Sequence, residues 1–329
     1  FYQYSLGSDS LLDDLLGWTN LENITAFIID SINFIDGRKY FPKIRAIDKA
    51  ENISDIYFSD GITLDMTPPL GTVIMNGIGS NIQFTQNDSS LTPSWLSFID
   101  TVSGLAFYEC AVGLIDSDIN IVDWFNNGLD TTALIQNINL ISGDTYIIKV
   151  RATDNVNNKS EEILSNGIMV DTDLPLPGLV IDGIYSDKDW TNHPDYLESS
   201  WSGFKDTSSG IKEFQYAIGT LTDTTSMVGW KTNGLDTVMY ETGLFLEDGM
   251  VYYVYVKAID NSNNFGNIVS SDGITVDLTV PEIEQVFDGP YQSDKDWQSP
   301  DSALTLSWLS IDTVNSYIYE YSIGTTPGD

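Results

Sequence analysis

The chain has one cysteine, Cys110, one histidine, His193, and no apolar run of 18 residues. A single cysteine cannot form an internal disulfide bond, and one cysteine with one histidine does not supply a zinc site. Because neither residue recurs at matching places along the chain, no Cys-His or Ser-His-Asp catalytic arrangement is indicated. The sequence therefore predicts no enzyme and no transmembrane helix.

Basic residues are also scarce. The chain carries 14 Lys and Arg residues against 48 Asp and Glu residues, a formal net charge of −34. A surface of this charge repels phosphate groups, which argues against nucleic acid or an anionic membrane as a partner. Two interpretations stay open: an acidic surface that keeps the protein soluble in a salty exterior, and a surface that binds divalent cations.

Sustained helical spacing of apolar residues is absent, and a long repeat is present instead. Residues 40–69, 146–175 and 252–281 are three copies of one pattern, and Asp48, Asp154 and Asp260 lie 106 residues apart within them. Each complete copy has seven short apolar runs separated by Gly, Asn, Asp and Ser turns, which is typical of a β-sandwich. The interval predicts a C-terminal part of a repeat at 1–68, complete repeats at 69–175 and 176–281, and an N-terminal part at 282–329.

Several motifs resemble those of fibronectin type III repeats or their immunoglobulin-like relatives. They are the early-strand tryptophans Trp95, Trp201 and Trp308, and the segments LISGDTYIIKVRA and LEDGMVYYVYVKA, which resemble the turn, tyrosine and V-x-A strand of that family. Phrases such as SDGI-x-VD-x-T are similar to those of large bacterial secreted or cell-surface proteins. The resemblance implies an all-β fold of tandem seven-stranded sandwiches placed end to end in a rod. The three tryptophans are expected in cores, as is Cys110, which takes the place of Tyr216.

The tyrosines of these segments follow a glycine by three residues. Gly143 precedes Tyr146 and Gly249 precedes Tyr252. In a sandwich corner of this kind, the ring packs in the core and its hydroxyl bonds backbone in the turn. Both residues are therefore predicted to have structural roles.

Calcium is the candidate cofactor, because Asp carboxylates and Asn carbonyls on flexible loops are its usual ligands. The predicted sandwich brings two loops to the end where the chain enters, next to the preceding linker. One candidate junction site therefore combines linker and loop residues Asp171, Asp173, Asp206, Asp260 and Asn264. The preceding junction offers Asp65, Asp100, Asp154 and Asn158.

A second type of candidate calcium site is the DKD turn, which carries Asp187 with Asp189 and Asp294 with Asp296. Like charges two residues apart gain nothing from turn geometry, which favours a metal there. The alternative is that all these Asp and Asn residues recur because they initiate turns by bonding their own backbone. The sequence leaves both interpretations open.

The function that these features favour is structural. Short linkers with proline restrict bending, so we expect an extracellular or cell-surface segment of a bacterial filament or adhesin stalk, stiffened by calcium at domain junctions. Its partners would be neighbouring repeats, further copies that pair through edge strands into filaments, and a cell-surface or carbohydrate ligand. The alternative is a set of spacer or carbohydrate-binding modules of a large secreted hydrolase, with Trp190 and Trp297 as stacking surfaces for sugars.

Overall fold

The computed structural model describes residues 1–30, 32–117, 119–297, 303–311 and 318–324. These residues form 26 β-strands and one 3-10 helix at Pro290–Gln292. The chain divides into two compact units, Phe1–Thr172 and Asp173–Asp329. In the described ranges, no helix combines the length and apolarity needed to cross a membrane. The prediction of an all-β fold is confirmed.

The first unit begins with one antiparallel sheet. Its strands are β1 (Tyr2–Gly7), β2 (Leu16–Asn20), β3 (Lys39–Ala46), β4 (Tyr57–Phe58) and β5 (Ile62–Thr63). Strand β3 lies at the centre, because it pairs with β1, β4 and β5. These are the strands expected of the later part of a repeat, and they end before the linker at Asp65.

The first complete repeat follows in the same unit. Its strands are β6 (Ile74–Met75), β7 (Phe84–Thr85), β8 (Ser90–Leu91), β9 (Ser94–Trp95), β10 (Leu105–Leu114), β11 (Asn120–Asn126), β12 (Ile135–Gln136), β13 (Thr145–Asp154), β14 (Ile163–Leu164) and β15 (Ile168–Val170). One sheet has the order β11-β10-β13-β15-β7, and the opposite layer consists of the pairs β6-β9 and β8-β12. Side chains from both layers form one core, including Trp95, Ile135, Tyr108 and Val150.

The second unit repeats this architecture. Its strands are β16 (Leu179–Asp182), β17 (Trp190–Thr191), β18 (Tyr196–Ser202), β19 (Ile211–Gly219), β20 (Val228–Gly234), β21 (Val238–Thr242), β22 (Val251–Asp260), β23 (Val269–Ser270) and β24 (Ile274–Val276). The two layers have the orders β16-β18-β21 and β17-β24-β22-β19-β20. The core again draws on both layers, with Val180, Trp201, Met239 and Val256 among its buried side chains.

The last repeat is described in part. It contributes β25 (Glu282–Phe287) and β26 (Ser307–Ile311), which pair in antiparallel orientation. The repeat predicts a third strand and its turn in residues 317–329; residues 318–324 lie in no strand, and the remainder of that segment falls outside the described residues. In the first complete repeat the corresponding strand, β10, is paired with β13.

Two very short strands, which the sequence pattern does not predict, lie at the edges of the larger sheets. Strands β7 and β17 contain two residues each and pair in parallel with the last strand of their own repeat, β15 and β24. Trp190 belongs to β17 and is 45% exposed. The edge of the sheet is thus covered by backbone.

The predicted tryptophan and tyrosine roles are confirmed in both complete repeats. Trp95 and Trp201 are buried, at 3% and 4% exposure. The hydroxyl of Tyr146 accepts the Ile141 N–H at 2.8 Å, and that of Tyr252 accepts the Glu247 N–H at 3.1 Å. Each bond ties the turn before the sixth strand to the core.

Three basic side chains lie over tryptophan rings on the sheet surface. Arg45 lies over Trp18, Arg151 over Trp124 and Lys257 over Trp230, each at 4.1 Å from the ring centroid. A cation over an indole face is attracted by the ring quadrupole. Because this pair recurs on the same strands, it is part of the repeat.

Candidate functional site

The loop between β13 and β14 in the first complete repeat is shaped by Asp154, the last residue of β13. Asp154 is buried, and its Oδ1 accepts the N–H groups of Val156 and Asn158 at 2.9 and 2.8 Å. Its Oδ2 accepts the Asn158 amide at 2.7 Å. A carboxylate that accepts several N–H groups closes the turn by itself.

The loop between β9 and β10 is also closed by an aspartate that accepts backbone N–H groups. The Oδ1 of Asp100 accepts the N–H groups of Val102 and Gly104 at 3.1 and 2.7 Å. Gly104 has a φ of 77°, a backbone conformation that glycine adopts without strain. The turn chemistry expected from the sequence is therefore present at Asp100 as well as at Asp154.

Asp65, in the linker that enters this repeat, reaches both loops. Its Oδ2 accepts the Ser103 N–H at 3.0 Å, and its backbone carbonyl accepts the Asn158 amide at 3.2 Å. Partial burial opposes ionisation of Asp65, but the donors of Ser103 and Thr67 outweigh it and lower the pKa of this carboxyl. The linker carboxylate is thus held in its charged form.

The structure brings three of the predicted junction residues together. Asp65, Asp100 and Asp154 each place one carboxylate oxygen within 4.8 Å of the others. Asn158, the fourth predicted residue, contributes its amide as a donor to Asp154 and Asp65. Three convergent carboxylates are a ligand set that suits a hard divalent cation such as Ca²⁺.

The sequence repeats this set 106 residues later, at Asp171, Asp206 and Asp260. This second junction falls across the division between the two compact units, so its calcium site stays a prediction. Within the second unit, Asp206 accepts the Gly210 N–H at 2.7 Å and Asp260 accepts the Asn264 N–H at 2.8 Å. Both loops are closed as in the first complete repeat. Asp173, at the start of this unit, is exposed.

A further group lies inside the second complete repeat, and the sequence analysis found only one of its members. Asp187 shares it with Asp182 and Asp272, and one carboxylate oxygen of each lies within 4.8 Å of the others. Asp182, at the end of β16, is 1% exposed. Its Oδ2 accepts the Gly273 N–H at 3.0 Å, while its Oδ1 is buried with no partner in hydrogen-bond geometry among the described residues.

The charge of Asp182 is poorly compensated. Burial raises the pKa of its carboxyl to about 7, and the like charges of Asp187 and Asp272 add to that rise, against the donors Ser271 and Gly273. The cause is physical: removing a carboxylate from water disfavours its charged form unless a counter-charge is supplied.

The predicted DKD pairing is not what the structure forms. Asp187 turns back, and its Oδ1 accepts the Asp182 N–H at 2.9 Å. Asp189 is exposed, and its carbonyl accepts the Thr275 N–H at 2.9 Å where β17 begins. Asp294 and Asp296 are exposed in the last repeat and join no carboxylate group among the described residues.

Two other candidate residues have clear positions. The thiol of Cys110 is fully buried, and burial raises its pKa to about 12, so it is a core side chain rather than a nucleophile. Trp190 is 45% exposed and lines an open depression of about 440 Å³ together with Thr191, His193 and Asp277. Trp297 is 91% exposed.

Comparison with known proteins gives likenesses among solved structures. The chain is similar to the FN1–FN3 domains of chicken CNTN1, with 14% identity and a TM-score of 0.35, over 83% of this chain and 88% of that one. It is also similar to the fibronectin(III)-like modules of Clostridium thermocellum CbhA, with 12% identity and a TM-score of 0.36, over 62% of this chain and 94% of that one. No family description and no curated protein matches the chain.

The architecture rests on the strand pairing of the chain itself. In the second complete repeat, β16, β18 and β21 form one layer, and β19, β20, β22 and β24 form the other. These are the seven strands of the sandwich, in which β16, β18 and β21 are the first, second and fifth. The first complete repeat has the same pairs, and both have the tyrosine corner. This is the sandwich arrangement of immunoglobulin-like and fibronectin domains. The chain is a tandem array of fibronectin type III-like β-sandwich repeats.

Proposed function

We propose that this chain is a structural segment of an extracellular repeat protein, a bacterial surface filament or adhesin stalk, in which calcium at the repeat junctions restricts bending. The observation that carries the proposal is the linker at Asp65, which is hydrogen-bonded to the repeats on both sides of it. A spacer has to hold each domain at a defined orientation to the next. Hydrogen bonds from the linker to the repeats on both sides restrict that orientation.

The contacts to the preceding repeat come first. Asp36 Oδ1 accepts the Met66 N–H at 2.6 Å, and its Oδ2 accepts the Thr67 hydroxyl at 3.1 Å. The contacts to the following repeat are those of Asp65 with Ser103 and Asn158. Five consecutive linker residues, 65–69, end in two prolines, whose fixed φ angles remove further freedom.

The first of these contacts recurs. Thr172 donates its N–H to Ser142 Oγ at 3.1 Å, and Leu278 donates its N–H to Asp248 Oδ1 at 2.7 Å. Ser142 and Asp248 occupy the position of Asp36 in their own repeats. Each of these three linkers is therefore hydrogen-bonded near its start to its own repeat, as expected of an array built for regular spacing.

Calcium is proposed at the junction because the carboxylates of Asp65, Asp100 and Asp154 converge there without a basic side chain to balance them. None of the ion pairs found in the described ranges involves these three residues. A cation bound jointly by a linker residue and two loop residues would oppose rotation about the linker. The metal would thus add stiffness that hydrogen bonds alone do not supply.

The test is a distance measurement across this junction. Spin labels on Thr19→Cys in β2 and Asp123→Cys in β11, both exposed, report on the two repeats, while buried Cys110 resists labelling. Calcium is expected to narrow the distance distribution in pulsed electron paramagnetic resonance relative to chelator. Asp65→Ala should broaden it and remove the calcium response, whereas Asp55→Ala, an exposed residue of the same repeat, should not.

An unchanged distribution in calcium, in chelator and in Asp65→Ala would overturn the stiffening proposal. Self-association through the sheet edges is a separate part of the proposal, and β11 and β20 are among the strands with an unpaired edge. Electron microscopy of the native material distinguishes filaments from single flexible molecules.

Trp190 favours a second candidate, a carbohydrate-binding spacer of a secreted hydrolase. A half-exposed indole beside Thr191 and His193 in an open depression can stack on a sugar ring. If this is correct, the chain should be depleted from solution by an insoluble polysaccharide such as cellulose, and Trp190→Ala should abolish the depletion. Equal depletion of both proteins would remove the candidate.

A further inference from the structure

The carboxylates of Asp182, Asp187 and Asp272 form a group that the fold brings together and the chain does not neutralise. Asp182 is buried, and one of its oxygens has no hydrogen-bond partner among the described residues. The nearest basic residue in sequence, Lys188, is bound to Glu198 instead. Buried charges in proteins are paired or coordinate a metal, because the cost of leaving them alone is large.

The first complete repeat carries no charge at the corresponding place, although the Oδ1 of Asn76, like that of Asp182, is buried with no partner among the described residues. The three residues 106 positions earlier are Asn76, Asn81 and Asn166, so all three aspartates are replaced by asparagines. Asn76 is 1% exposed, as Asp182 is. Its Nδ2 lies 3.2 Å from Asn81 Oδ1 and 3.0 Å from Asn166 Oδ1. The same nitrogen lies 2.6 Å from the Gly167 carbonyl and 3.2 Å from that of Ile82.

The two repeats therefore differ in one chemical respect. In the first, an amide nitrogen is a hydrogen-bond donor at the centre of a ring of oxygens. In the second, the central residue is Asp182, an acceptor, and its neighbours Asp187 and Asp272 are acceptors too. Among the described residues of the second repeat, Asp182 accepts the Gly273 N–H, but no side-chain amide or basic side chain takes the place of the Asn76 amide.

We propose that Asp182, Asp187 and Asp272 bind a Ca²⁺ ion that takes the place of the Asn76 amide. The ion would join the turn after β16 to the turn between β23 and β24, which are the segments that Asn76 joins in the first complete repeat. Asp187 and Asp272 are exposed, so water can complete the six to eight oxygen ligands that calcium requires. This site lies within one repeat and does not depend on the junction sites.

The partial repeats keep parts of the set. Asp288 and Asp294 correspond to Asp182 and Asp187, and Asp60 corresponds to Asp272. The asparagine version, in the first complete repeat, is then the metal-independent member of the array.

The experiment is hydrogen exchange with mass spectrometry on the whole chain, with calcium chloride or chelator, at pH 7.5. Calcium is expected to slow exchange in the segments 182–187 and 271–274, by roughly tenfold at a free concentration ten times the Kd. The triple variant Asp182→Asn, Asp187→Asn, Asp272→Asn rebuilds the amide cluster, so it should fold and lose this calcium effect. Calorimetric titration should show one binding event fewer than in the wild type.

The matched variant makes the reverse substitutions, from asparagine to aspartate, in the first complete repeat. Asn76→Asp, Asn81→Asp, Asn166→Asp should make the corresponding segments of the first complete repeat calcium-dependent. The proposal is overturned if calcium protects neither segment of the wild type, or if the triple asparagine variant keeps the protection. It is also overturned if lowering the pH protects both segments while calcium does not, because the neutralising group is then a proton.

Failure of the junction proposal is distinguishable from these results. Loss of calcium-dependent stiffening would appear in the distance distribution across Asp65. It would leave hydrogen exchange near Asp182 unaffected.

Discussion

Replacement of Trp201 by alanine is expected to lower the free energy of unfolding of the second complete repeat by about 3 to 5 kcal/mol. The indole is 4% exposed and packs edge-on against Phe214, with the ring centroids 5.8 Å apart. Its removal leaves a cavity between the two layers, since residues of both surround it. Calorimetric melting of the whole chain, with hydrogen exchange to identify the repeat that unfolds, measures the loss.

Trp190 supplies the matched control, because it is a tryptophan of the same repeat that is 45% exposed. Trp190→Ala should change the free energy of unfolding by no more than about 0.5 kcal/mol, the usual range for surface substitutions. Equal losses in the two variants would contradict the assignment of Trp201 to the core and of Trp190 to the edge.

Replacement of Asp154 by alanine is expected to cost the first complete repeat about 2 to 4 kcal/mol in the presence of chelator. The variant loses the acceptor for the N–H groups of Val156 and Asn158 and for the Asn158 amide. These donors are partly buried, so water replaces the carboxylate incompletely. Denaturant unfolding followed by hydrogen exchange in residues 154–160 is the measurement.

Asp48 separates burial from hydrogen bonding in this comparison. It accepts the N–H groups of Ala50 and Asn52 and the Asn52 amide at 2.8, 2.9 and 2.8 Å, but it is exposed. Asp48→Ala should therefore destabilise its repeat less than Asp154→Ala does. If Asp154→Ala has no effect in chelator and a large one in calcium, the residue acts through the metal and not through the turn.

The repeat interval and the core residues were predictable because they are periodic properties of the sequence. A buried tryptophan in an alternating run, and a tyrosine three residues after a turn glycine, indicate one location in a sandwich. Strands β7 and β17 were not predictable, because two residues have no period and a parallel pairing with β15 or β24 leaves no local pattern.

Of the candidate sites, one group of carboxylates was predictable from the sequence and the other was not. Asp65, Asp100 and Asp154 could be grouped because each stands where a strand or linker ends at the same side of a sandwich. Asp187 was assigned to Asp189, its neighbour in sequence, whereas the fold pairs it with Asp182 and Asp272. A signal for the correct group was present, since all three positions change together to asparagine at Asn76, Asn81 and Asn166.

The parallel strand at the sheet edge has a consequence for how such an array is made. Similar domains on one chain face each other at millimolar effective concentration, which favours exchange of strands between neighbours. Strand β24 is the last of its repeat to leave the ribosome, and its outer edge is met by β17, which was synthesised early in the same repeat. A newly made final strand thus finds its partner within its own domain before the next repeat exists. In both complete repeats, the two-residue strand therefore favours pairing within one domain over exchange with a neighbour.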